Sequence, residues 1–175
     1  MIRLGNATVH LMNAPLTAQD VDLLVSPANT YLWMKHGVAG DVKHQGGDVI
    51  EREALAKGPI SLGDVAITGP GSLPCRRIAH AAVMAQDLRV SQESIRTAVA
   101  RLMEVAEENK TRSLAIPPMA SGTGSPTAEV VAAAMFEPMI EFLPDAQHIR
   151  EVRICLPDEE YLRLYKDVLG RFFAV

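Results

Sequence analysis

The stretch that decides the fold is residues 23–40, LLVSPANTYLWMKHGVAG. Its apolar beginning continues a run that starts at Val21 and gives way to serine and proline at residues 26 and 27. A short apolar run ended in this way predicts a buried strand over residues 21–25. Since the sequence GVAG then begins a predicted helix, residues 26–37 form a strand-to-helix connection. Such connections are where an α/β sheet holds a ligand, although an ordinary β-to-α loop has the same pattern.

The rest of the chain repeats this alternation of strands and helices, without linker, internal repeat or low-complexity tract. Alternating elements of this kind predict a three-layer α-β-α fold of class α/β, and the length of 175 residues predicts one domain over 1–175. Further strands are predicted in two pieces within 2–11 and at 64–68, 77–83, 114–116 and 151–156, and helices at 38–45, 48–57, 91–109, 128–142 and 159–173.

The charge and hydropathy of the chain limit its partners. A net charge of −4 without a long basic block predicts no general nucleic-acid binding. There is no signal-peptide pattern at the N-terminus and no apolar run of the ~20 residues that span a membrane, so we expect a cytoplasmic protein that makes no membrane contact. The two cysteines, Cys75 and Cys155, have no metal-ligand spacing and are predicted to be buried free thiols. We expect no bound metal and no cofactor.

A second polar stretch, Ala120–Pro126 (ASGTGSP), also follows a strand and precedes a helix. The first N–H groups of a helix have no partner within it, and the helix dipole adds positive potential, so a phosphate or diphosphate suits such a position. Gly122 and Gly124 allow the backbone to approach an anion closely. Because no GxxxxGK[ST] motif and no GxGxxG with its acidic partner is present, the sequence argues against a P-loop enzyme or a dinucleotide dehydrogenase.

These features together resemble the macro domain family, whose members bind ADP-ribose. The family pattern V-D-x-I-V-N-A-A-N matches VDLLVSPAN at residues 21–29 and is followed by GVAG at the family's spacing. The resemblance covers nearly the whole chain and implies a central mixed sheet. Further segments match in the family's order: GG at 46–47, GDVAIT at 63–68, LP at 73–74, IAH at 78–80, residues 117–126, and PDEEY at 157–161.

The resemblance also implies a set of ligand-binding residues. Asn29 matches the asparagine that touches the distal ribose and, in family hydrolases, helps position the attacking water. An alternative role for its side chain is to cap the loop backbone. The resemblance assigns the two phosphates to backbone amides of two segments, residues 37–39 and residues 121–124. The implied set is Ser26, Asn29, His36, Gly37, Val38, Ala39, Ser121, Gly122, Thr123, Gly124, Ser125 and Asp158.

Several positions depart from the family pattern. Ser26 replaces the first asparagine of the motif, and Ala39 stands where some hydrolases have an acid, although other active members also have alanine there. Lys35 and His36 replace the usual glycines. These two side chains could pair with a phosphate, fill the distal ribose pocket or remain solvated.

The positions that bind adenine in the family depart from the family pattern as well. Pro15 falls where the family usually has an aspartate that hydrogen-bonds the adenine amino group, and Pro157 falls where an aromatic often stacks on the base. Each lost contact typically costs about 1–3 kcal/mol. These departures predict weak adenine recognition or a different nucleotide.

Three functions follow as hypotheses. The first is binding of ADP-ribose or a related nucleotide, and the second is hydrolysis of ADP-ribosyl bonds in proteins or acetylated metabolites, with Asn29 orienting the water. The third is a degenerate macro fold that binds a protein and no nucleotide. His80 lies on an apolar strand and is predicted to be a hydrogen-bonded core histidine rather than a ligand.

Overall fold

The computed structural model describes residues 1–174, in which seven strands alternate with five α-helices. The predicted order of elements is confirmed. The strands are β1 (Ile2–Leu4), β2 (Ala7–Asn13), β3 (Leu23–Asn29), β4 (Val65–Thr68), β5 (Arg77–Met84), β6 (Ser113–Ile116) and β7 (Glu151–Leu156), and the helices are α1 (Gly37–Gly46), α2 (Val49–Lys57), α3 (Gln92–Glu108), α4 (Ala128–Phe142) and α5 (Glu159–Phe172).

The strands form one mixed sheet in the order β1-β2-β7-β6-β3-β5-β4. Its five inner strands are parallel to their inner neighbours, whereas the edge strands β1 and β4 are antiparallel to theirs. The α/β fold class with a central mixed sheet is therefore confirmed. Parallel pairing aligns the carboxyl ends of β7, β6 and β3 at one edge, where ligands bind in sheets of this type.

Alternate residues of β3 face the two helical layers, because successive side chains in a strand point to opposite faces. Leu23 and Val25 pack with apolar residues of α3, α4 and α5, whereas Leu24 packs with apolar residues of α1 and α2. All seven residues of β3 are buried, so this strand forms the centre of a three-layer α-β-α fold.

Strand β3 is longer than the predicted strand, because it continues through Asn29 rather than ending at Val25. The sequence pattern ended the strand at Pro27, which lacks the N–H that a central strand normally needs. The structure accommodates this proline because β6 pairs with β3 only at Leu23 and Leu24, so Pro27 lies beyond that ladder. The connection to α1 is therefore shorter, residues 30–36, and is called the first loop below. Residues 120–126 are the second loop.

Helix caps agree with the sequence pattern at three of the four predicted positions. Ser91, Thr127 and Asp158 accept backbone N–H groups at the starts of α3, α4 and α5. Asp48 precedes α2, but its side chain makes no capping bond. Its backbone is helical, with φ −64° and ψ −19°, rather than extended as a capping residue usually is.

Candidate functional site

A cleft of about 270 Å³ opens at the sheet edge where β3 and β6 end. Its walls come from the end of β3, both loops, the start of α1 and the segment that follows β5. The two loops therefore converge on one cavity. We call it the main cleft, and the residues that line it are Pro27, Ala28, Asn29, Trp33, Lys35, His36, Gly37, Val38, Ala39, Met84, Leu88, Val90, Pro118, Met119, Ala120, Ser121, Thr123 and Ser125.

The first loop is tied to the surrounding structure by several hydrogen bonds. Within the loop, the Asn29 side chain accepts a hydrogen bond from the Tyr31 amide at 3.0 Å and donates one to the Trp33 carbonyl at 2.9 Å. The Met34 amide donates to a carboxylate oxygen of Glu51 on α2. Backbone bonds of Thr30 to Met84 and Ile60 add two further connections. These contacts fix the path of the chain into α1.

Glu51 is held as a carboxylate at the base of this loop. Its burial acts to raise its pKa, but hydrogen bonds from Lys43 and the Met34 amide, and the positive charges of Lys43 and Lys35, act in the opposite direction and prevail. The pKa of Glu51 consequently lies below its usual value. The Lys43 Nζ to Glu51 Oε1 distance is 2.7 Å. A charged hydrogen-bond acceptor therefore anchors the loop at neutral pH.

The second loop has a different construction. Within the described part of the chain, residues 120–126 make hydrogen bonds only to one another: the Ser125 amide donates to the Gly122 carbonyl, and the Ser125 hydroxyl donates to the Ser121 carbonyl. Gly122 and Gly124 have φ angles of +81° and +83°, which favour glycine. A Cβ at either position would meet no atom within 4 Å, so the backbone conformation, rather than lack of space, requires glycine there.

Backbone amides of both segments are left without a partner. Across residues 1–174, no protein acceptor is bonded to the N–H groups of Gly37, Val38 and Ala39, whereas the next amide, of Gly40, bonds to the His36 carbonyl. No side chain caps the start of α1. The N–H groups at 121–124 are likewise unpaired within that range. Unpaired amides beside a helix start are suited to an anion.

The structure brings most of the predicted site residues together and separates four from the main cleft. Eight of them line it: Asn29, His36, Gly37, Val38, Ala39, Ser121, Thr123 and Ser125. Gly122 lies outside the lining, and Gly124 faces a neighbouring depression beside Ser91 and Ser94. Asp158 is exposed, and its carboxylate accepts the Tyr161 amide at 2.8 Å.

Ser26 is fully buried in β3, on the face covered by α1 and α2, because the strand continues past the predicted end. It pairs in register with His80 on β5. His80 is also fully buried, and its Nε2 lies 2.8 Å from Thr68 Oγ1. The Ser26 hydroxyl and His80 Nδ1 have no protein hydrogen-bond partner among the described residues. Burial, aided by the positive charge of Lys57, lowers the pKa of His80 to about 4. The predicted core position of His80 is confirmed, but only one of its ring nitrogens is hydrogen-bonded.

The location of Asn29 is compatible with both roles considered for it, ligand contact and capping of the loop backbone. It is buried within β3 and caps the first loop, yet it also lines the main cleft. A side-chain amide has two N–H groups and an oxygen with two lone pairs, so one N–H and one lone pair remain after the loop bonds are made. The structure therefore shows the capping role directly and leaves a polar edge available in the cleft.

Lys35, His36 and Trp33 form the outer wall of the cleft. Lys35 and His36 are exposed, and Lys35 Nζ lies 5.7 Å from the centre of the Trp33 ring. The ring of His36 packs edge-on against Trp33, with 6.3 Å between ring centres. Neither side chain forms a salt bridge to a described carboxylate. Of the three arrangements considered for Lys35 and His36, filling of the pocket is not observed, because the cleft is open.

A second cavity of about 230 Å³ adjoins the main cleft at Val38, Pro118 and Ser121. We call it the apolar compartment. Pro15 and Pro157 both line it, so the two departures at the predicted adenine end lie together. Its remaining lining residues are Ala14, Leu16, Pro117, Cys155, Leu156 and Tyr161.

The cysteines are buried and free, as predicted. Burial raises the pKa of each thiol to about 11, so both are protonated at neutral pH. Among residues 1–174 no three His, Cys, Asp or Glu side chains are grouped as metal ligands would be. In the same range, every helix is too short or too polar to cross a bilayer.

Sequence reasoning missed the wall formed by Met84 at the end of β5 and by Leu88 and Val90 in the segment that follows. β5 pairs in parallel with β3, so the residues that follow each strand emerge at the same sheet edge. No local pattern gave this pairing, because β4 lies between β3 and β5 in the chain. The position of Trp33, which the sequence did not predict, is now known to be in the wall of the main cleft.

The sequence of the chain is similar to those of known proteins. The family model described as "Macro domain" matches residues 25–135. A protein of Aquifex aeolicus is 34% identical over 163 residues, covering 93% of this chain and 98% of the relative. A protein of Aeropyrum pernix is 35% identical over 130 residues, covering 74% of this chain and 69% of the relative.

Solved structures share the fold. A macrodomain variant of Oceanobacillus iheyensis, solved with ADPR, superposes with a TM-score of 0.88 at 20% identity and covers 98% of this chain and 97% of its own. The same organism's macrodomain with ADP gives 0.87 at 22% identity, with coverage of 98% and 95%. The Trypanosoma brucei macrodomain in complex with ADP-ribose gives 0.83 at 20% identity, with coverage of 93% and 69%.

Proposed function

The chain belongs to the macro domain family, and on that premise we propose that it binds ADP-ribose or a related phosphorylated ribose or nucleotide. One observation carries the proposal: unpaired amides at 37–39 and 121–124 belong to two segments that line the same cleft. Two groups of N–H donors beside one cleft suit the two phosphates of a diphosphate. Related folds have been solved with ADPR, ADP and ADP-ribose, which supports this choice of ligand.

Calorimetric titration with ADP-ribose tests the proposal. We expect saturable binding to the wild-type chain and at least about tenfold weaker binding to Gly124→Val, because valine disfavours the φ of +83° that shapes the second loop. Gly170→Ala is the matched control, since this glycine is in α5 and its Cβ would meet no neighbour. Absence of heat with millimolar ADP-ribose would overturn the proposal.

A second candidate function is hydrolysis of an ADP-ribosyl bond, with an ADP-ribosylated protein as substrate. The polar edge of Asn29, which lines the main cleft, favours it. In this reaction the water oxygen bonds to the anomeric carbon of the distal ribose, the bond from that carbon to the protein group breaks, and the water's proton passes by way of a substrate phosphate to the leaving group. Within the described residues, the cleft lining includes no carboxylate. The substrate phosphate would therefore serve as the proton acceptor, and Asn29 would orient the water.

Turnover of an ADP-ribosylated protein, compared between wild type and Asn29→Ala, tests this second function. Since Asn29 also holds the first loop, Glu51→Ala serves as a control that loosens the loop and keeps the amide. We expect Asn29→Ala to lose at least about tenfold more activity than Glu51→Ala. Equal activity in wild type and Asn29→Ala would reject the assigned role.

The degenerate-fold alternative is not favoured. Filling of the cleft by Lys35 or His36 would favour it, whereas both side chains are exposed at the wall of an open cleft.

A further inference from the structure

The apolar compartment is continuous with the main cleft, and the residues shared between them include Val38 and Ser121. Within the described part of the chain, the amides of both residues are unpaired. In the proposed function, a diphosphate bound at these amides places its nucleoside in the apolar compartment and its distal ribose near Asn29. The flat, largely apolar faces of a base suit walls built from Leu16, Leu156 and Pro157.

The lining of this compartment has little capacity to read the hydrogen-bonding edge of a base. Its only polar side chains, among the described residues, are the hydroxyls of Ser121 and Tyr161 and the thiol of Cys155. The lining therefore has no carboxylate, amide or guanidinium group, which are the side chains that form paired hydrogen bonds with base edges.

Polar side chains close to this compartment in the fold are bonded to one another. Asn13 Nδ2 donates to Glu159 Oε1 at 3.2 Å, and Thr17 Oγ1 donates to Gln45 Oε1 at 2.8 Å. Asn13 and Thr17 lie immediately before and after the lining segment 14–16, so both of these side chains already have partners. Asp158 follows Pro157 but lies outside the lining, and one of its carboxylate oxygens accepts the Tyr161 amide.

We propose that the site takes nucleoside diphosphate riboses as a class and does not discriminate among them by the hydrogen-bonding edge of the base. The affinity then comes from the diphosphate, the riboses and the apolar faces of the base. This inference rests on the proposed function and narrows it, because it defines the substrate class by the diphosphate ribose rather than by adenine.

Calorimetry with three compounds tests the inference on the wild-type chain: ADP-ribose, its deaminated analogue containing hypoxanthine, and ribosyl diphosphate ribose without a base. Deamination replaces the N6 donor with an acceptor, and a site that reads this position loses about 5- to 150-fold in affinity. We expect a difference of less than about fivefold between the two nucleotides and binding of the base-free compound that is at least about tenfold weaker.

Other results have separate meanings. A difference of fivefold or more between the two nucleotides overturns base tolerance and leaves the proposed function intact. Equal binding of the base-free compound also overturns the inference, because the base then does not use the compartment. If none of the three compounds binds, the proposed function itself fails.

Tyr161→Phe gives a second readout, because it removes one of the three polar groups and keeps the ring. We expect the affinities for ADP-ribose and the hypoxanthine analogue to change by the same factor. A shift of fivefold or more in their ratio would show that Tyr161 reads the base and would contradict the inference.

Discussion

The two loops of the main cleft hold their shape by different means. The first loop is bonded to α2, to the end of β5 and to the segment after α2, and its central anchor is the charged carboxylate of Glu51. The second loop bonds only to itself within the described residues and depends on two glycines with positive φ. The contrast indicates that the first loop is a fixed wall whose shape is coupled to global stability, whereas the second can change shape without unfolding the domain.

The largest effect is expected from removing the anchor of the first loop. Glu51→Ala leaves the Met34 amide and Lys43 without their acceptor, and we expect a loss of about 2–3 kcal/mol in the free energy of unfolding. ADP-ribose binding should weaken as well, because the loop leads into the amides at 37–39. Chemical denaturation and calorimetry measure the two effects. Glu53→Ala is the matched control on the same helix, since Glu53 accepts the Gly69 amide away from the loop. Unchanged ADP-ribose affinity in Glu51→Ala would contradict the coupling between anchor and site.

A second effect is a loss of stability in acid. His80 is buried on the face of the sheet that α1 and α2 cover. Its folded pKa of about 4 lies below the usual 6.5, so the unfolded chain binds the proton more readily between these values. Stability is therefore present above pH 6.5 and is lost as the pH falls towards 4. Between pH 7 and pH 5 we expect a loss of about 2 kcal/mol.

Urea denaturation at these two pH values, for wild type and His80→Gln, measures this contribution. Surface histidines contribute equally to both proteins. The difference between the two proteins in the pH dependence of the free energy of unfolding therefore isolates His80. Identical pH dependence in the two proteins would show that His80 is not the group responsible.

The smallest effect on stability is expected in the second loop. Gly122→Ala places a side chain at a φ of +81°, but among residues 1–174 the loop makes no hydrogen bonds to other elements and can relax. We expect a loss of about 1 kcal/mol or less in stability together with clearly weaker ADP-ribose binding. Thermal unfolding measures the loss of stability, and calorimetry on the same samples measures the affinity for ADP-ribose. A stability loss as large as that of Glu51→Ala would remove the distinction between the loops.

The sequence was sufficient for the order of elements, because apolar periodicity and capping residues such as Ser91 and Thr127 act locally. It was less reliable for β3. Pro27 predicts that the strand ends there, but β6 pairs with β3 only at Leu23 and Leu24, so the strand continues past the proline. This longer strand is the reason why Ser26 is buried away from the cleft, while Asn29 remains at its edge. Strand length depended on a neighbouring strand that no local pattern describes.

The anchors of the first loop could not be predicted for a similar reason. Glu51 is one of two acids on α2, and only the packing of α2 beneath the first loop selects it as the acceptor for Met34. The composition of the apolar compartment, in contrast, was indicated by Pro15 and Pro157, because the resemblance gave both positions a shared location.

Amide chemical shifts of the isotopically labelled chain during titration with ADP-ribose test the central claim most directly. We predict that the amides of Val38 and Ala39 and those of Ser121, Gly122 and Thr123 shift together along one saturation curve, with smaller changes at Gly40, whose N–H is already bonded. If binding occurs while either group of amides keeps its free-state shifts, the two loops do not jointly hold the ligand and the account is wrong.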